Sequence, residues 1–175
     1  MNKLKIAVIG TGLVGSFHAE TFYRNPNSEL VAVCDIDKDK SNSIANKFNC
    51  KGYDNFEQLI ATETLDAISI ATPEQIRIEP AVLSVENGLK ILLEKPLGRD
   101  LEQIKSLVDK IKDHNKIISV NFILHEDPRY KLMKEKIKNN EIGNIVSCFA
   151  RRRGNRFGIE IYAPWTDLLS STLIH

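Results

Sequence analysis

The feature that constrains this chain most is the run Gly10-Thr11-Gly12-Leu13-Val14-Gly15, set between a strand pattern and a helix pattern. Leu4 to Ile9 before it is apolar except for Lys5, and Asp35 closes a second apolar run, Leu30 to Cys34, twenty residues after Gly15. A lone G-x-G-x-x-G is a weak signal. Strand, glycine turn, helix, second strand and acid in this order are the context that a dinucleotide site requires. Gly10 permits the tight turn, Gly12 lets the main chain approach a pyrophosphate without a Cβ in the way, and Gly15 allows the helix to pack close to the strand. The start of the helix, with Thr11, Leu13 and Val14, then offers free N–H donors and a partial positive charge to the phosphates. Asp35 is placed to accept hydrogen bonds from the adenosine ribose hydroxyls. It would repel a phosphate there, so NAD is favoured over NADP.

Charge and cysteine usage narrow the field further. A net charge of +1 gives no reason to expect nucleic acid, a membrane surface or a polyanionic substrate. Cys34, Cys50 and Cys148 form no C-x-x-C pair and are odd in number, and the first residues already belong to a strand rather than to a signal peptide. A soluble protein of the reducing cytoplasm fits best. The apolar runs have strand length, well short of the ~20 residues needed to cross a bilayer.

Along the chain the periodicity alternates. Strands are expected at Leu30 to Cys34, Lys51 to Tyr53, Ala67 to Ala71, Lys90 to Leu93 and Lys116 to Asn121. Helices are expected near Lys38 to Phe48, Phe56 to Ala61, Ile76 to Asn87 and Leu101 to His114. Such alternation with short loops implies an α/β fold, a doubly wound parallel sheet covered on both faces. Asn87-Gly88 reads as a helix stop and Asp100 as the N-cap before Leu101. Past Asn121 the character changes to a basic amphipathic helix, Arg129 to Asn139, and a strand at Ile145 to Arg153 whose register suggests a different sheet. The expected division is therefore 1–121 for the dinucleotide-binding domain and 122–175 for the opening of a second α/β domain, incomplete where the sequence stops at His175.

Glu94-Lys95-Pro96-Leu97-Gly98 begins where the strand Lys90 to Leu93 ends, and ligands bind at that carboxyl edge of an open parallel sheet. A lysine fixed there could stabilise negative charge on a substrate oxygen as hydride moves, although a solvated strand-end lysine is the commoner arrangement. The segments Ile6 to Gly12, Val31 to Asp35, Ala71-Thr72-Pro73, Glu94 to Gly98 and Gly143 to Val146, in this order and spacing, resemble the Gfo/Idh/MocA oxidoreductases. The resemblance implies an N-terminal Rossmann domain and a C-terminal α/β domain whose open sheet binds a sugar or polyol and mediates homo-oligomerisation. By the same resemblance Lys95 matches the catalytic lysine and His175 the catalytic histidine, while Ala71, Thr72 and Pro73 line the nicotinamide side of the cofactor pocket, with Glu94 near it.

This sequence departs from the family pattern in places. Glu74 and Arg77 stand where Asn and His are usual, and Ser171 stands where an Asp usually precedes the histidine. Ser171 lacks a carboxylate's charge, so a proton relay through His175 is expected to be weaker. His18, one turn into the first helix, is read as a packing residue, His114 as a helix-end residue and His125 as a solvated loop residue. No His/Cys/Asp/Glu spacing suggests a metal. Arg151 to Arg156 would split between two faces of a strand, which argues against a nucleic-acid site. The expected activity is NAD-dependent hydride transfer to or from a secondary alcohol of a sugar or cyclitol. The alternative is an NAD-binding module without turnover, acting by binding or assembly.

Overall fold

The computed structural model describes residues 2–112 and 118–149. The chain divides into two units between Asn121 and Phe122. In the first, six strands form one parallel sheet: β1 (Leu4–Ile9), β2 (Ser28–Cys34), β3 (Lys51–Tyr53), β4 (Ala67–Ile70), β5 (Lys90–Leu93) and β6 (Ile118–Val120), in the order β3-β2-β1-β4-β5-β6. The chain builds outward from β1 to β3, then crosses to the other side of β1 and builds outward again. That reversal lies between β1 and β4, where doubly wound sheets bind their ligands.

Alternation along β1 decides which helices cover which face. Ala7 and Ile9 join Ile68, Ile70, Ile91 and Leu93 in a core shared with Leu59, Ala81, Val85 and Leu107. These last four come from α3 (Phe56–Thr62), α4 (Ile78–Glu86) and α5 (Leu101–Lys112). Val8 points the other way, with Leu30 and Val33, onto Ala19, Ala45 and Phe48 of α1 (Leu13–Arg24) and α2 (Lys38–Phe48). A period of two in the strands thus sorts the helices into two layers.

Local chemistry sets the helix ends. Asp37 caps α2 by accepting the N–H groups of Asp39 and Lys40, and Asn55 caps α3 through Gln58 N–H. Asp100 accepts Glu102 N–H at 2.8 Å as the sequence predicts, and Gly88, at φ +77°, follows the end of α4. The expected helix from Ile76 is interrupted: a single 3₁₀ turn, Glu74–Ile76, precedes α4, and Arg77 sits between them. The break lets the Arg77 side chain turn into the protein, as described below.

In the second unit Pro128 at the first turn and Asp127 at the N-cap begin α7 (Pro128–Lys138), after a four-residue helix α6 (Ile123–Glu126) that the periodicity does not predict. The strand expected from Ile145 is not formed over Ile145 to Phe149. A β-run needs a neighbouring strand to satisfy its backbone, and none pairs with these residues among those described; Val146 is 96% exposed. Residues 150–153 of that expected strand, Arg156, Ser171, His114 and His175 lie outside the described residues.

Candidate functional site

Five strand ends carry their ladder one residue further, which brings the site residues to a common edge. Gly10 N–H donates to Cys34 O, Asp35 N–H to Tyr53 O, Ala71 N–H to Ile9 O, Glu94 N–H to Ile70 O and Asn121 N–H to Leu93 O, at 2.7–3.1 Å. The glycine turn, the acid, the Ala-Thr-Pro segment and the Glu-Lys-Pro segment therefore all leave the carboxyl edge of the same sheet.

The three glycines of the turn differ in what they do. Gly10 has φ +89°, and a Cβ there would stand 2.8 Å from Ala71 C and Thr72 N, so both conformation and space demand glycine. At Gly15 a Cβ would fall 1.7 Å from Gly10 O; only glycine lets α1 pack this close to the turn. Gly12 is different. Its φ is −63°, open to any residue, and a Cβ there would meet nothing within 4 Å. Nothing among the described residues requires glycine at this position, whereas a phosphate approaching the backbone would. The first turn of α1, where Leu13 and Val14 lie, has neither a side-chain cap nor an acidic residue, so its N–H donors are left for a ligand.

Asp35 serves the turn as well as a ligand. Its Oδ2 accepts Thr11 N–H at 2.7 Å and the Thr11 hydroxyl at 2.9 Å, and its Oδ1 accepts Asp37 N–H at 3.0 Å. A carboxylate has about four acceptor positions, which leaves one on Oδ1 for a ribose hydroxyl. Beside it, burial first, then the charges of Asp35, Asp54 and Glu57, push the Cys34 thiol up to about 12, so it stays protonated and unreactive.

On the other half of the edge, Arg77 is buried and ties two loops together. Its Nη1 donates to Glu94 O at 2.7 Å and to Pro96 O, and its Nη2 donates to Thr72 O. Burial lowers its pKa, with the charges of Glu94 and Glu74 opposing that shift. Glu74, itself buried, pairs with Arg99 at 3.0 Å. Lys95 is half-buried and its peptide bond to Pro96 is cis. Its two flanking carbonyls, of Glu94 and Pro96, are both held by one guanidinium nitrogen. Thr72 Oγ1 is buried with no hydrogen-bond partner among the described residues.

The Glu94 side chain turns toward α1. Its Oε1 lies 3.2 Å from His18 Nε2 and accepts Asn121 Nδ2, and its Oε2 accepts Lys95 N–H at 3.2 Å. Burial raises the Glu94 pKa, but hydrogen bonds from His18 and Asn121, the His18 charge and the Lys95 N–H outweigh it and leave the carboxyl below its ordinary value. His18 is thus a polar partner within the site rather than the packing residue its helix position suggested. Its signal was present: His18 follows Gly15 by three residues, on the helix face that meets the sheet. Arg77 was marked only by standing where the family has a histidine, and Asn121 carried no comparable signal.

An open, uncapped helix start behind Gly12, an acid with a spare acceptor on the neighbouring strand and an orphaned buried hydroxyl on the far loop fit a dinucleotide lying across this edge. No group of three His, Cys, Asp or Glu residues is placed to hold a metal, and no helix is long and apolar enough to cross a membrane, among the described residues.

Comparison with known proteins agrees. The chain is 31% identical over 158 residues to the scyllo-inositol 2-dehydrogenase (NAD(+)) of Bacillus subtilis, covering 87% of this chain and 46% of that protein. It is 27% identical over 146 residues to the inositol 2-dehydrogenase of Rubrobacter xylanophilus, covering 82% and 42%. The crystal structure of myo-inositol 2-dehydrogenase from Lactobacillus plantarum superposes with a TM-score of 0.79 at 31% identity, over 83% of this chain and 44% of that one. The chain spans about half the length, or less, of the relatives it matches. Residues 4–122 match the family model of oxidoreductases with an NAD-binding Rossmann fold, and the chain belongs to this Gfo/Idh/MocA family.

Proposed function

We propose that this chain carries the cofactor-binding and proton-handling half of an NAD-dependent dehydrogenase acting on a secondary alcohol of a sugar or cyclitol. The observation that carries the reading is the common edge: Gly10 follows β1, Asp35 follows β2, Thr72 follows β4 and Lys95 follows β5. Residues 1–121 would hold the cofactor, the backbone from Gly10 to Gly15 meeting the pyrophosphate, Asp35 the adenosine ribose, and Ala71, Thr72, Pro73 and Glu94 the nicotinamide half. Bound NAD supplies the hydride acceptor. Lys95, whose N–H is held by Glu94 Oε2 and whose neighbours' carbonyls, of Glu94 and Pro96, are held by Arg77, exchanges the proton of the substrate hydroxyl, and its charge steadies the oxygen as negative charge builds. His175 is its proposed partner in that transfer. Residues 122–175 belong to the part that contacts substrate and a second copy of the protein. A reducing cytoplasm suits the free thiols of Cys34 and Cys50.

Lys95→Ala is expected to depress turnover by about 100-fold while leaving NAD affinity within about threefold, the size of effect expected for a positioned proton-transfer group. Steady-state kinetics with inositols and aldoses, beside calorimetric NAD titration, provide the test. NAD binding without turnover in the unaltered chain would leave a binding module, and lost NAD affinity in Lys95→Ala would make Lys95 a cofactor ligand instead.

NAD is expected to bind at least about tenfold more tightly than NADP, because a 2′-phosphate would face the Asp35 carboxylate and the interaction of like charges about 4 Å apart exceeds 1.4 kcal/mol at a protein surface. Asp35→Asn is the informative variant: its amide oxygen can still accept from Thr11 while the charge is removed, at the expense of the bond from Asp37 N–H, which then faces the amide NH2. The preference should shrink toward parity in calorimetric titrations. An unaltered preference would show that Asp35 does not select the cofactor.

A further inference from the structure

His18 meets Glu94 where the dinucleotide-facing helix passes the loop that carries Lys95. A carboxylate has no proton to give, so His18 Nε2 carries one and donates it to Glu94 Oε1 across 3.2 Å. Asn121 Nδ2 is a donor to the same oxygen, and its 3.4 Å separation from Nε2 is the approach of two donors to one acceptor. On the other side of the ring, Nδ1 lies 2.7 Å from Ser69 Oγ in the middle of the sheet. The serine hydroxyl donates to Nδ1 of a neutral ring and accepts from a protonated one, so the ring stays latched in either state. Glu94, oriented by these donors, accepts the Lys95 N–H on its remaining oxygen, Oε2.

We propose that His18 is a positioning residue for Lys95. From the helix whose first turn meets the cofactor, it orients the Glu94 carboxylate, and the carboxylate holds the Lys95 main chain. The link ties cofactor-side and proton-side elements that are far apart in sequence. Its functional meaning rests on the reading of Lys95 as the proton-handling group. Its physical content is the Lys95 N–H bond.

That bond is read directly by amide hydrogen exchange, followed by NMR on the NAD-free 175-residue chain. His18→Leu should speed exchange of the Lys95 amide by about tenfold or more, while the amides of Val8 and Ala19 keep their protection. His18→Gln, whose amide nitrogen reaches about as far as Nε2, should restore the Lys95 amide to within about threefold of the original. Ser69→Ala unlatches the ring without enlarging or charging the core, and should give an intermediate acceleration even if the leucine variant fails to fold. An unaltered Lys95 amide in Ser69→Ala or in folded His18→Leu overturns the proposal. So does uniform acceleration of all core amides, or failure of glutamine to restore protection. Loss of turnover in Lys95→Ala tests the underlying reading separately: if it retains activity while the exchange results hold, the link stands and the assigned role of Lys95 falls.

Discussion

Gly15→Ala is expected to cost about 3 kcal/mol of stability and Gly12→Ala close to none, although both remove a glycine from the same turn. The difference follows from what each Cβ would meet. At Gly15 it would fall 1.7 Å from the Gly10 carbonyl oxygen and 3.4 Å from Ala71 Cβ, so α1 must retreat from the turn until the closest contact passes 3 Å. The atoms under 3 Å, Gly10 O at 1.7 Å and Gly10 C at 2.8 Å, are main chain, and β1 is locked between β2 and β4, so the turn cannot yield cheaply. At Gly12 the backbone is already in a conformation that alanine adopts, and the added methyl enters open space. Gly12→Ala should therefore unfold in urea at the original midpoint while its NAD affinity falls by at least about tenfold, because the methyl occupies the path of the pyrophosphate. Undiminished NAD binding by folded Gly12→Ala would remove the assignment of this turn to the phosphates.

Arg77→Ala is expected to cost about 3–5 kcal/mol. Truncation strands the carbonyls of Thr72, Glu94 and Pro96, at about 1–3 kcal/mol for each group that water cannot reach, and removes the guanidinium charge near Glu74 and Glu94. Water entering the vacated space would recover part of that sum. Lysine is a poor substitute, since one ammonium on a flexible stem cannot span carbonyls that a rigid fork reaches from two nitrogens. Arg77→Lys should lie between alanine and the original in urea denaturation. Its NAD affinity should fall as well, because the Thr72 and Lys95 loops lose their common anchor. A cost below about 1 kcal/mol for Arg77→Ala would mean that these loops hold their positions without the guanidinium.

The elements of the first unit could be read before any coordinate because each rests on neighbours in sequence. Alternation in Ala7, Val8 and Ile9 sends side chains to opposite layers, Asp37 and Asp100 cap helices that begin beside them, and the glycine turn joins β1 directly to α1. The strand expected at Ile145 shows the limit of the same reasoning, for β-propensity describes a surface that still needs a partner to pair with.

Asp35 and Lys95 were also legible, since a residue that closes a strand lies at the sheet edge whatever the rest of the chain does. What the tertiary structure decided is what these residues touch. Arg77 reaches carbonyls 17 and 19 residues away, and His18 meets Ser69 across 51 residues and Asn121 across 103. No periodicity encodes such pairs, because a backbone carbonyl or a lone amide is the same in every sequence. The order of strands alone brings Ser69 of β4, Glu94 after β5 and Asn121 after β6 to the same histidine of α1. The sequence by itself determined the sheet, its two layers and the edge where a dinucleotide meets it. Folding determined that a buried arginine and a half-buried histidine meet the loop that carries Lys95, and burial makes their long-range hydrogen bonds hard for water to replace.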